Sequence, residues 1–139
     1  MPGLPPLNEI LEEYQLVEAE DRYRLLIELG RQLEPMADVL KTDATKVRGC
    51  SASVWVYPTV EGGRLHFLAD SNAAITKGIV ALVLAAVQDK PATEVAKLDV
   101  AECLAPFELS KHLSANRTQG VPNMVALVKS TARRFAETS

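Results

Sequence analysis

The run from Ile75 to Val87 constrains this chain more than any other stretch. Ile75, Ile79, Leu82, Val83 and Ala86 are apolar, and so is most of the opposite side. A helix that is apolar nearly all round belongs in the middle of a fold, covered on every face. Its most apolar part, Gly78 to Val87, is too short to span a bilayer and is adjoined by Lys77. Ser71 or Asn72 is the expected cap of this helix. Gly78 inside it costs about 1 kcal/mol relative to Ala, which points to close packing against another backbone.

The rest of the chain must therefore wrap that helix. Asn8 reads as the N-cap of a first helix, with Ile10, Leu11 and Tyr14 on one face. A second helix is expected from about Asp21, carrying Tyr23, Leu26, Ile27, Gly30 and Leu33, with Pro35 ending it. Pro2, Pro5 and Pro6 make a stiff lead-in. The seven acids between Glu9 and Glu28, set against Arg22 and Arg24, read as a solvated helical face. Residues 36–49 read as a loop of basic tilt. Val54-Trp55-Val56-Tyr57 reads as a strand, with Pro58 ending its regular pairing or marking an edge. Glu61-Gly62-Gly63 supplies a hairpin turn into a second strand, Arg64 to Asp70, whose Leu65, Phe67 and Ala69 share a face. Pro91 begins a short helix, Leu98 to His112 is mixed and interrupted by Pro106, and a last helix runs from about Arg117 or Val121 to Phe135. A hairpin with helices before and after it, and no alternation of strand and helix, predicts an α+β fold.

At 139 residues, the chain is expected to form one domain over 1–139, burying roughly two-thirds of its unfolded surface without disulfides or a structural metal. An aromatic content of 5% and a net charge of −3 argue against a nucleic-acid partner. The start, Met-Pro-Gly-Leu-Pro-Pro, lacks the basic residues and apolar stretch of a signal peptide. With two dispersed cysteines, a reduced, cytoplasmic protein with no membrane partner is the expectation. Cys50, Cys103, His66 and His112 add up to four zinc ligands in number, but no two have the usual close spacing.

Cys50 is the candidate reactive group. It follows Arg48-Gly49 at a loop-to-strand junction, and Ser51, Ala52 and Ser53 leave room for another molecule to approach. Arg48 and Lys46 can lower a thiol pKa or dock a partner. A free cysteine is equally at home as a small buried hydrophobe. Cys103 has no glycine or basic neighbour and reads as core filler. His66 or His112 would activate a thiol only if the fold brought it to Cys50, as a Cys–His hydrolase requires. Two polar clusters, Asp70 to Gly78 and Ser114 to Gly120, read as helix caps or as site linings. Arg117, Gln119 and Gly120 precede the final helix. Neither cluster has phosphate-loop spacing, so no nucleotide cofactor is indicated.

Four stretches in order give the chain a resemblance. They are Arg22 to Gly30, Val47-Arg48-Gly49-Cys50-Ser51-Ala52-Ser53-Val54-Trp55, Asp70 to Gly78, and His112-Leu113-Ser114 through Arg117-Thr118-Gln119-Gly120. Together they resemble the SufE family, with its paralogue CsdE, over about residues 8 to 135. The resemblance implies a small antiparallel sheet with helices packed around it, a fold shared with IscU-type scaffolds. It implies that Cys50, on a loop that shelters in a hydrophobic cavity, accepts sulfane sulfur from a cysteine desulfurase. The sulfur then passes to an iron–sulfur assembly scaffold. The pyridoxal phosphate belongs to the donor, so no cofactor is expected in this chain. Arg48, Gly49, Ser51, Asp70, Lys77, Arg117 and Gln119 are the expected supporting or docking residues. Asn72 stands where the family commonly has a second Asp, Thr118 replaces a Ser, and Cys103 falls where the family has no reactive cysteine. A desulfurase stimulator that carries no sulfur, and a scaffold holding zinc or a cluster, are the alternatives.

Overall fold

A computed structural model describes residues 4–138, so Pro2 lies outside the described residues. Helices α1 (Leu7–Leu16) and α2 (Ala19–Arg31) lead through a 3-10 turn at Asp38–Leu40 to strands β1 (Val54–Glu61) and β2 (Arg64–Ser71). There follow α3 (Ala74–Val87), α4 (Ala92–Lys97), α5 (Val100–Leu104), a 3-10 turn at Ala105–Phe107, α6 (Leu109–His112), α7 (Ala115–Thr118) and α8 (Val121–Thr138). The α+β expectation holds: the two strands form an antiparallel sheet, and the helices pack around it. No helix among the described residues is long and apolar enough to cross a membrane.

Helix α3 is the axis of the core. Every residue from Gly78 to Leu84 is buried, along with Ala86 and Val87. α2, β2, α5 and α8 all pack against it. Fully burying each large aliphatic side chain of this helix stabilises the fold by roughly 1.5–3 kcal/mol. Gly78 is required by proximity: a Cβ there would overlap the carbonyl oxygen of Leu26 and sit 2.6 Å from its carbonyl carbon. Gly30 is the reciprocal contact, since its Cβ would fall 2.9 Å from the Gly78 nitrogen. Two facing glycines thus let α2 and α3 approach backbone to backbone.

The hairpin turns on Gly62 and Gly63, both at positive φ (61° and 79°), as a two-residue turn of the favoured hand requires. Leu65, Phe67 and Ala69 form the buried face as expected. Pro58 does not end the pairing; β1 continues through it to Glu61. The reason is register. The Val56 N–H points away from β2 to the carbonyl of Thr45 at 2.8 Å, and Pro58, two residues on, faces the same way. The missing N–H therefore removes no ladder bond. Both edges of the small sheet are covered. Thr45 and Val47 bond the outer side of β1. On β2, the Gln88 side chain accepts from the Phe67 N–H at 2.8 Å and donates to its carbonyl at 2.9 Å.

Helix boundaries depart from expectation at the caps. α1 begins at Leu7 on the carbonyl of Pro6, so Asn8 lies inside it and caps nothing. α2 starts at Ala19 and closes at Arg31, short of Pro35. Neither Ser71 nor Asn72 caps α3, whose N-cap is Ala73. The last helical segment is two pieces, α7 and α8, broken at Gly120.

Candidate functional site

Residues 48–52 form a strap between two fixed points. At one end the Val47 N–H donates to the Val54 carbonyl at 2.8 Å. At the other, the Ser53 N–H donates to Asn72 Oδ1 at 3.1 Å, while its carbonyl accepts from Ser71 Oγ at 2.8 Å. The polar cluster after β2 therefore anchors the strap rather than capping α3. Asn72 acts here as an acceptor through its side-chain carbonyl.

Between those anchors the strap lies on α7 and the first turn of α8. Asn123 Nδ2 donates to the Arg48 carbonyl at 2.6 Å. Ser51 Oγ donates to the Asn116 carbonyl at 2.6 Å. Gly49 has φ 83°, a left-handed conformation open to glycine, and a Cβ there would overlap the Asn123 amide. Cys50 then turns inward onto Gly120. A Cβ on Gly120 would overlap Sγ and lie 3.0 Å from Cys50 Cβ and 3.1 Å from its Cα. Gly120 is thus the floor on which the thiol rests.

The thiol is half-buried and free of any disulfide. The narrow void beside it is lined by Ser51, Ala52, Thr76, Asn116, Arg117 and Met124 and admits no water-sized sphere. Burial pushes the Cys50 pKa above its ordinary value. The expectation that Arg48 and Lys46 would lower it is not met. Both residues are exposed to solvent, and burial sets the direction of the shift. Nor does a histidine reach Sγ. His66 lies between Asp89 (2.7 Å) and Glu34 (3.1 Å), and the His112 ring is 3.1 Å from the Arg22 guanidinium. At rest, this is a protected thiol without a base among the described residues.

Beside the void, an open cleft of about 670 Å³ runs between α2, the start of α3 and α7. Five residues line both spaces: Ser51, Ala52, Thr76, Asn116 and Arg117. Arg117 lines both the void beside the thiol and the cleft, with its guanidinium carbon 5.8 Å from the Tyr23 ring centre. The Tyr23 hydroxyl donates to the His112 carbonyl at 3.1 Å, which fixes that ring. Gln119 is exposed and lines neither space.

Asp70 and Lys77 meet each other rather than Cys50. Asp70 is bridged by Lys41 at 2.7 Å and Lys77 at 3.1 Å, and it accepts from the Ser71 N–H at 2.8 Å. Burial by itself would raise the Asp70 pKa, but the bonds from Lys41, Ser71 and Lys77 outweigh it and hold the carboxyl below its ordinary value. Lys41 also sits 5.8 Å above the Trp55 ring, so this cluster braces the 36–49 loop against the hairpin. Cys103 packs against the core, in keeping with its reading as filler. Among the described residues, no three His, Cys, Asp or Glu side chains converge as metal ligands. Asn123 is the site residue that sequence reasoning missed. Its partner lies 75 positions away, and an Asn in the first turn of a helix carries no local signal of such a bond.

Known proteins give a consistent comparison. Residues 8–132 match the family described as SufE: Fe-S metabolism associated domain. An uncharacterized SufE-like protein from Rhizobium meliloti (strain 1021) is 37% identical over 131 residues, spanning 91% of this chain and 94% of its own length. Another from Rhizobium etli is 36% identical over 132 residues, spanning 91% and 89% respectively. The solution structure of a hypothetical protein from Thermus thermophilus superposes with a TM-score of 0.76 at 19% identity, over 99% of this chain and 100% of that one. That likeness is one of fold.

Proposed function

Because this chain belongs to the SufE family, whose domain is associated with Fe–S metabolism, we propose that it carries sulfur between a cysteine desulfurase and an iron–sulfur assembly scaffold. Cys50 is the acceptor. Its thiolate attacks the terminal sulfur of a cysteine persulfide on the donor. A new S–S bond forms at Cys50 Sγ, the donor S–S bond breaks, and the donor thiolate leaves with the electron pair. No external oxidant or reductant enters, as in thiol–disulfide exchange. Delivery to the scaffold is the same step in reverse sense, with Cys50 as leaving group.

One observation carries this reading. The free thiol lies at the centre of a short strap, seated in a void too narrow for water beside an open cleft. A carrier needs a sulfur that is shielded between transfers, because exposed thiolates and persulfides are readily oxidised. Arg48, exposed on the strap, is available to dock a partner, while Arg117 borders the thiol from the cleft. Asp70 and Lys77 act at a distance, through the loop they brace.

The lack of a base at Cys50 among the described residues, and its burial, favour a second reading, in which the protein stimulates a desulfurase by docking alone. Incubation with a desulfurase and cysteine separates the two. A sulfur carrier loses its stimulation in Cys50→Ser, whereas a docking stimulator keeps it.

A further inference from the structure

We infer that Asn123 is the positioning residue of the acceptor strap, and that its bond to the Arg48 carbonyl sets how often Cys50 is presented to a partner. The inference rests on Cys50 being the sulfur acceptor. The strap has five residues, 48–52, between ends held independently by the sheet and by the turn after β2. The hydrogen bonds to its middle, among the described residues, come from one short stretch, residues 116–123, which also supplies the seat of the thiol. Those holds are Ser51 to the Asn116 carbonyl, Asn123 to the Arg48 carbonyl, and the thiol on Gly120. Releasing them breaks no hydrogen bond of the hairpin ladder.

Asn123 is the member that governs the thiol. Its amide lies where a Gly49 Cβ would sit, which couples its position to the left-handed turn placing Cys50 inward. Both Asn123 and Ser51 are exposed. Water competes for such bonds, so their net worth is small and the strap opens readily. A clasp of that strength suits a carrier: closed enough to shield sulfur in transit, weak enough for a docking surface to break.

The test measures alkylation of Cys50 by iodoacetamide in the full chain, with Cys103 as internal reference and peptide masses reporting each site. Asn123→Ala removes the donor. Asn123→Asp keeps the shape but places a carboxylate against the Arg48 carbonyl. Both variants should alkylate Cys50 about three- to tenfold faster than wild type, and in Asn123→Ala the pH midpoint of the reaction should move down toward that of an exposed thiol. Cys103 should keep its rate. Unchanged Cys50 rates in both variants, or parallel acceleration of Cys103, would overturn the inference, the latter because it signals general loosening. No desulfurase takes part in this assay, so failure of wild-type Cys50 to take up sulfur in the separate turnover assay would refute the carrier reading and not this one.

Discussion

Replacing Gly78 by Ala sets two effects of opposite sign against each other. Ala is favoured over Gly inside a helix by about 1 kcal/mol, so on an open helix the change would stabilise. Here the added Cβ would overlap the Leu26 carbonyl oxygen, at 2.6 Å from the carbonyl carbon and 2.9 Å from the Leu26 Cβ. Ordinary contact begins near 3.4 Å, so the carbonyl carbon alone asks α2 to withdraw by about 0.8 Å, and the closer oxygen asks for more. That is backbone motion, not the swing of a flexible side chain, and it opens the seam where Leu26 and Leu29 meet α3. Overpacking of a tight interface costs about 1–3 kcal/mol. Because this contact is with main chain, the upper part of that range applies and outweighs the propensity gain. The expected net is a loss of about 2 kcal/mol, or a Tm lower by roughly 5–10 °C. Urea denaturation followed by circular dichroism measures it. A variant as stable as the wild type would refute the backbone-to-backbone contact of α2 with α3.

Gly120→Ala should leave the core intact, with a Tm within a few degrees of wild type, because the displaced group is a thiol on a surface strap. Cys50 cannot retreat into a void too narrow for water, so it is driven outward, and its alkylation rate should rise several-fold; an unchanged rate contradicts the seating on Gly120. His66 makes stability pH-dependent. Burial lowers its pKa, but the bonds from Asp89 and Glu34 prevail and the net shift is upward. Its contribution is therefore complete below about pH 6.5, the unfolded value, and fades as pH rises through the folded pKa. His66→Gln should show less loss of stability across that window than wild type when urea midpoints are compared at successive pH values.

The elements that the sequence announces are those whose physics is local or periodic. Gly62-Gly63 can hardly be anything but a tight turn, the alternation Leu65, Phe67, Ala69 selects a face, and an all-apolar helix has to be central. Caps failed for a physical reason. Asn8, Ser71 and Asn72 have short polar side chains that serve equally as caps or as tertiary partners, and the choice depends on what lies nearby in space. Ser71 and Asn72 turn to Ser53, 18 and 19 positions back. Pro58 is ambiguous in sequence because its cost depends on which side of the strand its nitrogen faces, and that is a property of register. At the site, Cys50 is legible from its glycine and small neighbours, yet its electrostatics are not. Arg48 and Lys46 are neighbours in sequence that stay in solvent, and burial sets the direction of the thiol pKa. What surrounds the thiol instead is Gly120, Asn116 and Arg117, contributed from the far end of the chain.

The central claim is that Cys50 carries sulfur, and the mass of the protein tests it most directly. After incubation with a cysteine desulfurase and cysteine, the intact chain should gain the mass of one sulfur atom. The gain should map to the peptide holding Cys50, vanish on treatment with a reductant, and be absent in Cys50→Ser. A wild-type protein that stimulates the desulfurase while Cys50 stays unmodified throughout turnover would contradict the account.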